Sequence, residues 1–303
     1  MPRSGFARGF IWAVLAALAL ALVASGPVLA RDQKTDAPAL WKIDGPKGDV
    51  YLFGSVHLLP QGVDWRTPAL DAALNEAQVV VFEIDLDESK NPAAMQQLIA
   101  KLGVLPAGQL LRKLLAPEQR AKYERVLTSL GLPAPNLDPL RPWLAAVTIG
   151  VQWIVAKGYD PNSGVDEKIW AWGQQNGKQL AHLEGIEEQL GAFAGLSLEQ
   201  EIEFLIVTVE QIDEMPTMLD DLVNAWRKGD TQRLDKVLNA DMDEFPVLRD
   251  RLLKRRHEKW LPQIENMIAG GRTHVIVVGT AHLVGKDSVI AMLRAQGMTV
   301  DGP

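Results

Sequence analysis

Two runs of this chain, more than two hundred residues apart, end in the same way, and that repeat limits the folds available to it. Val50-Tyr51-Leu52-Phe53-Gly54-Ser55-Val56-His57-Leu58 is an apolar strand followed by G-S-x-H-L. Val275-Ile276-Val277-Val278-Gly279-Thr280-Ala281-His282-Leu283 is an apolar strand followed by G-T-x-H-L. Only five histidines occur in the chain, and two of them sit in this frame. Glycine permits a sharp turn at a strand end, and open α/β sheets collect ligands at the carboxyl ends of their strands. Two such strands side by side would bring the imidazoles of His57 and His282 together.

The start of the chain reads as a targeting segment. Arg3 and Arg8 precede an apolar run from Phe10 to Ala24, broken by Ser25-Gly26-Pro27, and Val28-Leu29-Ala30 supplies a cleavage site. A secretory signal peptide over 1–30 is expected. Its apolar core of about 15 residues is shorter than the roughly 20 that span hydrocarbon, so no stable membrane anchor remains once it is cut. Without Arg3 and Arg8 the balance is 29 basic against 38 acidic residues, which argues against nucleic acid and anionic membranes as partners. The absence of cysteine excludes disulfides, thiolate metal sites, a cysteine nucleophile and a lipoprotein anchor. Export without disulfides suits a periplasmic or secreted bacterial protein.

The pattern along the chain predicts an α/β fold: a mixed sheet built from N- and C-terminal strands, with a large helical insertion over about 92–261. Residues 31–38 read as a disordered mature N-terminus and 39–303 as a single domain. A hairpin is expected over 39–43 and 50–56, a helix from Thr67-Pro68 to Ala77, and a buried strand over 78–84 ending in Glu83. Within the middle, 139–157 reads as a buried helix, 158–164 as a loop, Val165-Asp166 as a helix start and 178–183 as a short strand. A long basic helix is expected over 249–268, then a strand over 273–278, a helix over 288–296 and a terminal strand over 299–301.

Several residues are candidates for chemistry. Neutral imidazoles at His57 and His282 suit a divalent metal or proton transfer near pH 7. Glu83, inside an apolar run, must face solvent or have a buried partner, and beside the histidines it suits a metal ligand or general base. Asp85 and Asp87 read as solvated. Asp166 reads as a helix cap or a site residue. Glu184 repeats the strand-then-carboxylate arrangement of Glu83, and His182 reads as structural. Arg255, Arg256 and His257 form a basic face, from which an arginine aimed inward could stabilise an oxyanion. His257-Glu258 has Leu261 where a zincin needs its second histidine, and the chain has no P-loop, G-x-G-x-x-G or G-x-S-x-G.

Taken together, Gly54-Ser55-Val56-His57, Glu83, Gly164-Val165-Asp166 and Gly279-Thr280-Ala281-His282 resemble the TraB/GumN family, whose wider superfamily includes the Tiki metal-dependent peptidases. The resemblance covers about residues 40–300. It implies a mixed α/β core like that of the erythromycin esterase and haem-binding ChaN-like proteins. It also implies His57, Glu83 and His282 as metal-binding and catalytic residues, Arg256 as their support, and Gly54, Ser55, Gly279 and Thr280 as the cofactor-binding turns. Where the family often carries Arg-Asn, this chain has Arg256-His257, so His257 would stand in for the Asn as a donor. The expected function is an exported hydrolase, a peptidase, dependent on Mn²⁺, Co²⁺ or Zn²⁺. The alternatives are a non-catalytic periplasmic protein binding a peptide or small molecule in the same pocket, and a metal-free esterase-like or haem-binding protein.

Overall fold

The computed structural model describes residues 36–212, 215–239, 242 and 245–303. The expected signal peptide and residues 31–35 lie outside the described residues. Pro38, at the end of the stretch expected to be disordered, is buried. No helix among the described residues is long and apolar enough to cross a membrane.

The strands are β1 (Leu40–Ile43), β2 (Val50–Ser55), β3 (Leu59–Pro60), β4 (Val79–Phe82), β5 (Tyr159–Asp160), β6 (Gln179–His182) and β7 (His274–Gly279). Five of them form the central sheet in the order β1-β2-β7-β4-β6. β1 is antiparallel to β2, and the other pairs are parallel. Val79-Val80-Val81-Phe82 in β4 and all six residues of β7 are buried, as expected of parallel strands covered on both faces. β-branched side chains suit that environment because their stiff χ1 costs little on a pleated surface. β6, at the sheet edge, is only half-buried or exposed. The fold is therefore the expected mixed α/β class, with one addition: its edge strand comes from the middle of the chain.

The register of β7 positions the site. Ser55 pairs with Gly279 and Phe82 with Val277, so β2, β4 and β7 end in step at one edge of the sheet. His57, Glu83 and His282 leave the sheet there, at the end where parallel sheets bind ligands.

Helices cover the sheet. We label α1 (Pro68–Glu76), α2 (Val165–Gln175), α3 (Ile186–Ala194), α4 (Leu198–Gln211) and α5 (Arg255–Ala269). Thr67 caps α1 by accepting from the Leu70 N–H, with Pro68 at the first helical position. The apolar helix Pro142–Ala156 packs against α4, where the Trp143, Phe193 and Phe204 rings stack in sequence. Within 158–164, expected to be a loop, Tyr159–Asp160 forms β5 and pairs antiparallel with β3.

Two elements differ from expectation. The terminal strand is a single bridge between Lys42 and Asp301. The long basic helix is divided into a short turn at Pro246–Arg249, a π-helical segment at Asp250–Lys254, and α5. Within this segment Leu252 O accepts from Arg256 Nη1 at 3.1 Å, one of the contacts that hold the arginine toward the sheet edge.

Candidate functional site

Neither Gly54 nor Gly279 adopts a positive φ, contrary to the turn expected from sequence. Their small size is needed for close approach. A Cβ on Gly54 would sit 2.7 Å from Thr280 Oγ1, and one on Gly279 would sit 3.0 Å from Glu83 Oε1 and 3.6 Å from His57 Nε2. Thr280 donates to Ser55 O at 2.9 Å, linking the two matched strand ends. Trp226 Nε1 donates to Gly54 O at 2.8 Å.

His57 Nδ1 bonds Asp166 Oδ2 at 2.8 Å. Asp166 is in the first turn of α2, whose cap residue is Gly164. A Cβ on Gly164 would lie 2.4 Å from His57 O, and Val165 N donates to Val56 O at 3.1 Å. The glycine therefore lets the His57 loop rest directly on the helix start. Because the φ of Gly164 suits any residue, Gly164→Ala tests contact alone. It is expected to cost about 1–3 kcal/mol by overpacking, read by urea denaturation; an unchanged midpoint would remove this account of the glycine.

Glu83 is buried and fully engaged. Its Oε1 accepts from the Gly279 N–H at 2.5 Å, and its Oε2 accepts from Arg256 Nη2 at 2.6 Å and Gln189 Nε2 at 3.1 Å. Arg256 Nε donates to both oxygens of Glu184, at 3.0 and 3.1 Å, and the guanidinium lies 4.8 Å from the Trp260 ring centroid. Trp260 Nε1 also donates to Glu184 Oε2 at 3.1 Å. A buried guanidinium thus bridges two buried carboxylates.

Hydrogen bonding assigns the tautomers of the other two imidazoles. The Asp287 carbonyl can only accept, so His257 donates to it from Nδ1 at 2.7 Å. Neutral His257 then accepts at Nε2 from His282 Nδ1–H at 2.8 Å. His282 Nε2 is left bare, accepting from Arg256 Nη1 at 3.1 Å and facing Glu83 Oε1 at 3.4 Å. His257 is therefore an acceptor toward His282, not the donor expected in place of Asn.

The charges follow from these contacts. Burial depresses both His282, which lies well below its ordinary value, and His257, at about 4. Burial pushes Glu83 up, but His282, Arg256, His57 and the Gly279 amide together bring it far below the carboxylate range. Burial leaves Glu184 raised despite Arg256. For His57, burial pulls downward and is outweighed by Asp166 and Glu83, which hold it at about 8. A raised folded pKa means that protonated His57 adds stability below about pH 6.5, and this is lost as pH rises through about 8. Asp166→Asn is expected to bring His57 to or below 6.5 in an NMR titration of the metal-free protein; a value still near 8 would show that another group sets it.

The donor chemistry fits a divalent cation. His57 Nε2 is buried without a partner, His282 Nε2 is bare opposite a carboxylate oxygen, and both rings are held from behind as metal-binding histidines are. One guanidinium against the carboxylates of Glu83, Glu184 and Asp166 also leaves the cluster negative. In the arrangement described, no three His, Cys, Asp or Glu among the described residues are drawn together tightly enough to grip an ion. Arg256 instead holds both His282 Nε2 and Glu83 Oε2.

The fold thus brings His57, Glu83, His282 and Arg256 together, with Gly54, Ser55, Gly279 and Thr280 at the strand ends around them. Glu184 and His257 join the cluster through Arg256 and His282. His182 and Arg255 do not; both are exposed, and Arg255 pairs with Asp250. Asp85 caps a short helix, and Asp87 accepts from Trp170 and Gln174. Gln189 is the residue that sequence reasoning missed. It shares the buried stripe of α3 with Ile186, Leu190 and Phe193, and a polar residue in such a stripe was the available signal.

The profile of the TraB/PrgY/gumN family matches residues 39–302. Among curated proteins, Metalloprotease TIKI1 of Danio rerio is 22% identical over 322 residues, covering 86% of this chain and 62% of that protein. An uncharacterized protein of Treponema pallidum (strain Nichols) is 20% identical over 269 residues, covering 84% of this chain and 79% of its own. The chain therefore spans about three-fifths of the length of the Danio rerio relative. No solved structure matches.

Proposed function

The chain belongs to the TraB/PrgY/gumN family, and from that membership and the geometry above we propose that it is an exported metal-dependent hydrolase acting on peptide bonds. The observation that carries this reading is the unpartnered Nε2 of His57, backed by Asp166 and set beside Glu83 and the bare Nε2 of His282. His57, His282 and Glu83 would hold the ion, with Mn²⁺, Co²⁺ and Zn²⁺ as candidates; when bound it supplies Lewis-acid chemistry and an acidified water. Asp166 fixes the His57 ring, and His257 fixes the His282 tautomer through Nδ1. The Gly279 amide and Gln189 orient Glu83. Arg256 brings a permanent positive charge beside them, where a developing oxyanion would be stabilised. Export rests on the basic, apolar and small-residue sequence ending at Ala30, and places the protein in the periplasm or medium.

Metal content measured by mass spectrometry on wild type and on the His57→Ala/His282→Ala variant tests the assignment, alongside cleavage of a peptide library with and without Mn²⁺. Stoichiometric metal in wild type alone, with metal-stimulated cleavage, is the expected result. Equal metal in both proteins would overturn the ligand set. Tight peptide binding without cleavage, unaffected by chelator, would instead identify a binding protein.

A further inference from the structure

One cavity at the end of β2 and β4 is lined by Ser55, His57, Glu83, Asp166 and Gln189, with Phe82, Ile84, Leu86 and Val277 as apolar walls. Four buried polar atoms in it have no hydrogen-bond partner: Ser55 Oγ, His57 Nε2, Asp166 Oδ1 and Gln189 Oε1. Buried polar atoms are seldom left unpaired, because each costs about 1–3 kcal/mol. Four in one cavity therefore describe the hydrogen-bonding demand of a ligand.

That demand has a direction. A carboxylate oxygen can only accept. The amide of Gln189 cannot be turned round, because its Nε2 donates to Glu83 Oε2, so its Oε1 also accepts. Ser55 hydroxyl can do either. Beyond His57 Nε2, assigned above to the metal, the cavity thus offers two fixed acceptors and one adjustable group, on an apolar background. The occupant must bring several N–H or O–H donors on one small head.

Size and access narrow it further. The cavity, about 20 Å³, has room for one water-sized group. His57 and Asp166 retain 12% and 13% side-chain exposure, whereas Ser55 and Gln189 are 2% and 3% exposed. The mouth is therefore on the His57–Asp166 side and the unpaired hydroxyl and amide line the inner wall. A group entering must be the end of a longer molecule.

We propose that this cavity binds the primary ammonium group of a peptide, received by Asp166 Oδ1, Gln189 Oε1 and Ser55 Oγ. An ammonium is close to water in size and carries three donors, and where His57 is neutral, as a metal ligand must be, it brings positive charge to the Asp166 carboxylate. The inference rests on the peptide reading above, and it concerns binding only, so it can fail or stand apart from cleavage. A free N-terminus and a lysine side chain both present this head.

Isothermal titration calorimetry on the purified mature chain separates them with three probes: Ala-Ala-Ala-Phe amide, its N-acetylated form, and N-acetyl-Lys-Ala-Ala-Phe amide. Hydrogen bonds to a charged group predict that the free-amine peptide binds about 10- to 100-fold more tightly than its acetylated form. Tight binding of the acetylated lysine peptide as well would assign the site to the ammonium from either source. Gln189→Met is expected to shrink the free-to-acetylated ratio by about tenfold; because Gln189 also holds Glu83, the ratio is the readout, and a general packing defect would move both affinities together and leave the ratio unchanged. Equal affinity for the free and fully acetylated peptides, no binding by any probe, or an unaltered ratio in Gln189→Met would overturn the proposal.

Discussion

Arg256→Met is expected to lower the stability of the folded protein by about 3–5 kcal/mol, a fall in Tm on the order of 10 °C for a domain of this size. The loss comes from what the arginine leaves behind. Glu83 and Glu184 are 5% and 4% exposed, and without the guanidinium each keeps its burial cost while losing its main counter-charge. The sign of the pH dependence checks the cause. An unpaired buried carboxylate has a folded pKa above its unfolded one, so the folded state binds more protons and the deficit should shrink as pH falls toward 5. Adding Glu184→Gln to the variant should restore part of the loss. Chemical denaturation at pH 5 and pH 8 measures both effects, and a deficit under about 1 kcal/mol that ignores pH would remove the buried ion network as the reason.

His57→Ala should instead leave the fold in place and remove the chemistry. If the proposed hydrolase reading holds, kcat/KM falls by about 100-fold or more, at or beyond the top of the range for losing a group that supports a metal ligand, because bound metal is lost with the ligand. The structural penalty is small by comparison, because the stranded partner, Asp166, keeps access to water through the cavity mouth. Steady-state cleavage with a parallel thermal melt separates the two. Retained activity in a folded, metal-replete variant would move the site away from His57.

The parts of the fold that were legible in sequence are those fixed by local pattern. Val79-Val80-Val81-Phe82 and the Val275 to Val278 run read as buried strands because β-branched runs have few other uses. The shared G-x-x-H endings also implied the β2–β7 pairing. What could not be read depends on contacts between distant segments. Asp166 looked like a helix cap because Asp commonly serves there; Gly164 takes that position, and the reason is the His57 carbonyl pressed against it. Gln189 is an ordinary helical residue until α3 lies over the end of β4. Arg256 and His257 read as a solvated basic face, yet with Trp260 and Ile264 they form the buried stripe of α5. The charge of a residue said little about its side of the helix; the spacing of its apolar neighbours said more.

The position of β7 has a consequence for how the molecule is made. Among the described strands it comes last in the chain, yet it lies between β2 and β4, which have no pairing with each other. Until it arrives, those two strands present unsatisfied edges, and every contact that completes the sheet spans most of the chain. Such long loop closures slow folding, and open apolar edges invite pairing with other chains. His282, in the turn that follows β7, joins the cluster only in the step that seals the sheet, so a form in which β7 is not yet docked lacks the complete cluster.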